Sequence, residues 1–126
     1  TLSLDNNQLD DLERGTMNNL LNLRIIYLKH NSFDIIKHHY FKNLTSMVNI
    51  VFSLNKIKII EKDSFENLIN LNSLDLDNQN IADINPNLFR NLLSIRNLIL
   101  SNNYLEIIKK EQFIFLKTLV HLDLLK

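Results

Sequence analysis

The chain has 126 residues, 45% hydrophobic and 22% charged, a balance that fits one globular domain with a sizeable core and excludes a disordered tail. Its 14 basic and 14 acidic residues give a formal net charge of 0, which removes the bulk electrostatic case for a nucleic acid or an anionic membrane surface as partner. There is no cysteine, so no disulfide framework and no thiolate metal site, and no apolar run nears the ~18 residues of a membrane span.

Taken in chain order, the sequence repeats one phrase. The first unit places Leu2, Leu4, Leu9, Leu12, Met17, Leu20 and Leu23 around Asn7. The second has Ile26, Leu28, Phe33, Ile36, Phe41, Leu44 and Met47 around Asn31. In the third, Ile50, Phe52, Ile57, Ile60, Phe65, Leu68 and Leu71 surround Asn55. The fourth sets Leu74, Leu76, Ile81, Ile84, Phe89, Leu92 and Ile95 around Gln79, and the fifth Leu98, Leu100, Leu105, Ile108, Phe113, Leu116 and Leu119 around Asn103. Leu122 and Leu124 open a sixth unit that the chain end truncates. Each anchor follows the last by 24 residues, and all 35 flanking positions are apolar. A fixed period of this length is the signature of a repeat architecture. It is not a coiled coil, because 24 is not a multiple of seven and no heptad persists.

The two residues ahead of each anchor that alternate with one polar position, as in Leu74-Asp75-Leu76, read as a short strand with one buried face. Such a strand cannot bury that face alone, so equivalent units must stack as a parallel sheet over a continuous core. Where the chain turns off the strand, its buried backbone needs hydrogen-bond partners. An asparagine amide offers both donors and an acceptor. Asn7, Asn31, Asn55, Gln79 and Asn103 are therefore expected to form a structural ladder, with Gln79, one methylene longer, either bonding less well or bulging.

The pattern LxxLxLxxNxLxxIxxxxFxxLxx resembles the leucine-rich repeat in its 24-residue typical subtype, as found in Toll-like receptor ectodomains, adhesion proteins and matrix proteoglycans. The resemblance covers residues 1–126 as five units and a truncated sixth. It implies an α/β-type solenoid, with a curved parallel sheet on the concave face and mostly irregular loops with short helical turns on the convex face. Met17, Phe41, Phe65, Phe89 and Phe113 would stack as a convex-side spine. It also implies an extracellular or cell-surface protein, membrane-anchored by sequence outside this segment. The chain starts at Thr1 without a signal-peptide pattern and lacks the cysteine-bearing caps of such arrays, so a fragment of a longer array is expected.

Fold does not fix function, so the site is argued from residues that face outward. Ile25, Tyr27, Val51 and Leu54 are expected to form an apolar patch flanked by Lys29, His30 and Lys56. Asp75 and Asp77 form an acidic step one repeat on, and Ile99 lies beyond it. An aromatic anchor beside charges fits a protein-binding surface, although scattered apolar residues on a solvated sheet are ordinary. Asp11, Ile35, Ile59, Asp83 and Ile107 make a second row, expected to pack laterally against the loop or else to form a lateral contact face. Asn43-Leu44-Thr45 is the single N-x-[ST] sequon, placing a possible glycan on the convex side. His38-His39, Asp10-Asp11 and Asp75/Asp77 lack the converging ligands a metal needs. No phosphate loop or nucleophile motif is present. The expectation is thus a non-enzymatic module with no cofactor and no metal. Its partner is a protein or peptide ligand and no nucleic acid, and the segment makes no direct membrane insertion; its oligomeric state is unspecified. The alternatives are an intracellular leucine-rich-repeat scaffold or regulatory subunit, and the targeting arm of an enzyme whose catalytic domain lies elsewhere.

Overall fold

A computed structural model describes all residues, Thr1–Lys126. Six short strands form one parallel sheet: β1 (Leu2–Ser3), β2 (Ile25–Tyr27), β4 (Asn49–Val51), β6 (Ser73–Asp75), β7 (Asn97–Ile99) and β8 (His121–Asp123). Their spatial order follows the chain, and each pairs with the next at an offset of 24 residues, as in Ile26↔Ile50 and Leu74↔Leu98. This is a parallel-sheet solenoid of about five turns. A second, two-stranded parallel sheet joins β3 (Ile35–Ile36) to β5 (Ile59–Ile60). Helix is confined to one 3-10 turn, Lys110–Gln112. The rest of the convex side is a run of turns closed by bonds three residues back, among them the convex leucine N–H to the spine residue's carbonyl, as in Leu44 to Phe41 and Leu92 to Phe89 (3.1 Å each). No helix is long and apolar enough to cross a membrane.

The core runs the length of the stack as one cluster of 29 buried residues. In the second, third and fourth coils every flanking apolar position is buried except Ile60, which is half-buried. Phe41 stacks on Phe65 (centroids 6.3 Å apart, 19° between planes) and Phe89 on Phe113 (6.4 Å, 12°). Phe33, Phe52 and Tyr40 meet edge-to-face beside Phe41, the geometry that aromatic quadrupoles favour.

The anchors join neighbouring coils. Asn31 Nδ2 donates to Leu28 O of its own coil (3.2 Å) and to Leu4 O of the preceding one (2.9 Å), while its Oδ1 accepts the Leu9 N–H (3.0 Å). Asn55 repeats this with Phe52 O (2.6 Å), Leu28 O (2.9 Å) and the Phe33 N–H (3.1 Å), and Asn103 with Leu100 O, Leu76 O and the Ile81 N–H. Gln79 keeps both inter-coil bonds, to Phe52 O (2.8 Å) and from the Ile57 N–H (3.1 Å), and like its counterparts donates to the carbonyl two residues back (Asp77 O, 3.0 Å), but it does not make their bond to the carbonyl three residues back. The extra methylene therefore costs one own-coil bond and leaves the link between coils intact.

The residue before each anchor is left-handed: Asn6 (φ 57°), His30 (55°), Leu54 (58°), Asn78 (54°) and Asn102 (53°). The turn is needed so that this residue's N–H can reach the next coil, as in His30 to Ser53 O and Leu54 to Asp77 O. Asparagine tolerates that conformation well, whereas other L-residues pay about 1–2 kcal/mol. Asn43 (φ 67°) and Asn67 (φ 64°) solve the same problem at the convex turn.

Candidate functional site

The parallel register places Ser3, Tyr27, Val51, Asp75, Ile99 and Asp123 in one row across the strand face. Adjacent strands lie about 4.8 Å apart, so Tyr27 and Val51 touch side by side. Ile25, two residues back on β2, extends the same half-buried apolar surface. Ile99 is separated from that surface by Asp75. The sheet thus brings together Ile25, Tyr27 and Val51. It leaves Ile99 as an isolated neighbour and carries Leu54 off the sheet to the left-handed turn.

The acidic step is tied inward. Asp75 Oδ1 accepts the Asp77 N–H (2.9 Å), and burial holds the Asp75 carboxyl above the usual carboxylate range. Asp77 Oδ1 accepts from Ser101 Oγ and Asn102 Nδ2 (2.8 Å each). Ser53 and Ser101, which alternate with the core residues, are nonetheless buried beneath these contacts. Lys29 is exposed, and its N–H is held by Asp5 Oδ1 (2.8 Å).

Beside the strand face, the turns after β1, β2 and β4 form an open groove of about 490 Å3, whose lining includes Asn6, Gln8, His30, Ser32, Leu54 and Lys56. Leu54 is its one apolar residue, and no carboxylate lines it. His30 Nδ1 lies 3.0 Å from Asn6 Oδ1, joining the two turns. On the lateral side a larger cleft of about 640 Å3 runs past Asp11, Ile35, Lys37, Tyr40 and Lys58. Asp11 there accepts from Lys37 Nζ and from Tyr40 Oη (2.6 Å each). The Lys37 ammonium, then the Tyr40 hydroxyl, hold the Asp11 carboxyl below its ordinary value, while burial first and Asp11 second push the Tyr40 hydroxyl up.

The second row does not pack under the loop. Ile35 and Ile59 open β3 and β5, and Ile59 and Ile107 are 55% and 67% exposed. Of the histidine pair, His38 Nδ1 meets Glu61 Oε2 (2.7 Å) and His39 Nε2 meets Leu12 O (3.3 Å), so each bonds a different coil. Asn43 is exposed on the convex turn. Two features escape the apolar pattern. The row nine after the second to fifth anchors holds Tyr40, Ser64, Leu88 and Gln112, all buried, each chemically different, while Thr16 in the first coil is exposed. Gln112 fills its place by donating to Asp83 Oδ1 and Ile84 O (3.1 Å each). The outer row of Asn49, Ser73, Asn97 and His121, paired with Ile25, also lies on the strand face.

With this geometry in hand, the comparisons with known proteins are specific about family and fold. A family model described as a BspA type Leucine rich repeat region matches residues 6–126 in 6 copies. Among solved structures, one titled as the TLR13-ssRNA13 complex superposes with a TM-score of 0.90 at 28% identity, covering 98% of this chain and 18% of that one. The leucine-rich repeat domain of APL1B superposes with a TM-score of 0.89 at 20% identity, covering 98% of this chain and 37% of that one, and bears on the fold alone. The chain thus spans well under half the length of either. No curated protein matches it in sequence.

One expectation is corrected by these findings. The exclusion of nucleic acid from the partner list rested on the net charge of 0. A similar solenoid stands in a structure titled as an ssRNA complex, so that exclusion fails. The physical reason is that binding follows local potential rather than the sum over the surface.

Proposed function

The chain belongs to the BspA-type leucine-rich-repeat family, and we propose that it is a non-enzymatic binding module of an extracellular or cell-surface protein, engaging a protein or peptide ligand through its strand face. Leucine-rich-repeat modules typically serve protein–protein interaction. The observation that carries the assignment to this face is the continuous half-buried surface of Ile25, Tyr27 and Val51, held side by side by the β2–β4 register. Apolar side chains grouped and part-exposed in this way support a contact site, and the tyrosine among them is a favoured hot-spot residue type. Lys29, Asp75, Asp77 and Ile99 supply the polar and outlying contacts around it.

The likeness to the TLR13-ssRNA13 structure, at 28% identity, favours a second reading in which a single RNA strand lies on the same solenoid. Both are tested by immobilising the chain and panning a linear dodecapeptide display library beside fluorescent single-stranded oligoribonucleotides. The protein reading predicts enriched peptides whose binding falls tenfold or more in Val51→Asp. Retention of oligoribonucleotide alone, with a steep salt dependence, replaces it with the RNA reading. Surface placement is tested through Asn43: the proteolytic peptide that carries Asn43 in the full-length protein is expected to lose mass on enzymatic deglycosylation, and Asn43→Gln to abolish that loss. A cytosolic full-length protein without glycan would move the intracellular scaffold ahead.

A further inference from the structure

The register fixes which side chains the strand face presents. Its three outward rows lie six, four and two residues before each anchor. Along the six strands they hold four carboxylates, Asp5, Asp75, Asp77 and Asp123, against one lysine, Lys29, and no arginine. Arg24, Arg96 and Lys126 fall just outside these rows. Each is separated from the middle row by about 10 Å of extended chain. That middle row runs Ser3, Tyr27, Val51, Asp75, Ile99, Asp123, so its charges are the carboxylates of Asp75 and Asp123.

Asp75 is the odd member. It is half-buried between Val51 and Ile99, one coil to either side. Its Oδ1 accepts the Asp77 N–H (2.9 Å) and the Ser53 hydroxyl adds a second bond, yet burial outweighs both. Lys29, two coils away, has the smallest effect of the groups around it. None of the chain's four ion pairs includes Asp75, Asp77, Asp123 or Lys29. Stripping water from an unpaired carboxylate destabilises a fold, and asparagine would take the same place without that penalty. Asp123 copies the arrangement, its Oδ1 accepting the Leu125 N–H (3.0 Å). Both carboxylates are thus held in orientation by the chain, and a carboxylate so held still has acceptor capacity left. A residue that breaks a local rule with no return inside the chain points to a partner outside it.

We infer that the strand face takes a basic peptide segment of a partner protein, which seats an aromatic or aliphatic side chain on Tyr27 and Val51 and an arginine or lysine against Asp75. The inference rests on the protein-binding reading above and adds the charge and spacing of the ligand. Tyr27 and Asp75 lie two strands apart, about 10 Å, which about three residues of extended chain span. The apolar and basic residues of the segment are therefore about two to four positions apart, and a second basic residue reaches Asp123 about 10 Å further on. A guanidinium is the better fit, because it is weakly hydrated and grips a carboxylate through two parallel N–H bonds.

The test pans the dodecapeptide library already described and titrates the enriched peptides by fluorescence anisotropy against the parent chain, Asp75→Asn and Tyr27→Ala. Enriched peptides are expected to be net positive, with the spacing just given. Asp75→Asn is the informative variant, because it keeps the shape of the site and removes a desolvated charge. Its thermal midpoint at pH 7 is expected to hold or rise while peptide affinity falls about tenfold or more. Replacing the peptide's basic residue by glutamine is expected to weaken binding to the parent chain by about the same factor and to Asp75→Asn less than about twofold, which couples the two groups. Unchanged affinity in Asp75→Asn overturns the inference, as does enrichment of acidic or uncharged peptides. If Tyr27→Ala still weakens those peptides about tenfold, the strand-face reading survives without it. Retention of oligoribonucleotide with no peptide overturns both readings.

Discussion

In the third coil Phe52, Ile57, Leu68 and Leu71 are wholly shielded from solvent, with Phe65 at 1%, whereas Leu20, the first-coil counterpart of Leu68, is 40% exposed and Ile108, the fifth-coil counterpart of Ile36 and Ile84, is 48% exposed. The anchors differ in the same way. Asn55 links four backbone groups across two coils, while Asn7 bonds only Leu4 O and Asp5 O within its own coil. The same phrase is therefore worth different amounts by position, because most of its stabilisation comes from the neighbouring coil and little from its own. Stability here is close to a sum of nearest-neighbour interfaces.

The sharpest way to break this contrast is a pair of truncations. Phe65→Ala removes a buried ring and is expected to cost about 3–5 kcal/mol in urea unfolding. Leu20→Ala, at an open coil edge, should cost about 1 kcal/mol or less, since its side chain gains little from burial. Equal losses would mean that the end coils contribute as fully as the middle ones.

Two carboxylates sharpen it further through pH. Asp75 is held above the usual range by burial, so the folded chain binds its proton more tightly than the unfolded chain. Its contribution is present in acid and lost as pH rises through the folded value. Asp75→Asn is accordingly expected to raise the thermal midpoint at pH 7 and to lose that advantage in acid. Asp11 is shifted the other way, by Lys37 and then Tyr40. Its contribution is present above the ordinary carboxylate value and lost as pH falls through the folded one. Because that pair is partly exposed, 32% and 46%, Asp11→Asn should cost only about 0.5 kcal/mol at pH 7, and nothing in strong acid. Thermal melts across pH 2–7 check both signs.

The sequence makes the period, the anchors and the convex spine legible, because each is a side-chain type recurring at fixed spacing. Other features are hidden for physical reasons. Tyr40, Ser64, Leu88 and Gln112 share one buried row, but each solves its burial with different bonds, so no common residue type announces it. The left-handed turn is visible only as a run of asparagines until φ at His30 and Leu54 is known. Leu54 appears apolar and near Val51 in the sequence, yet the turn swings it to the rim, beside Lys56 rather than Tyr27. The β3–β5 sheet depends on two isoleucine pairs meeting at one register, Ile35↔Ile59 and Ile36↔Ile60, where Asp11 and Asp83 in the flanking coils offer no match. Solvent exposure of Leu20 and Ile108 is set by what lies next to them, which their own sequence does not encode.

The central claim, that the coils are held to one another by the anchor ladder, is tested most directly by urea unfolding of Asn55→Ala beside Asn7→Ala. Asn55→Ala strands buried groups of two coils and is expected to cost about 1–3 kcal/mol, with Asn7→Ala under about 0.5 kcal/mol because water replaces its exposed bonds. Equal costs for the two, or a loss near zero for Asn55→Ala, would contradict the account.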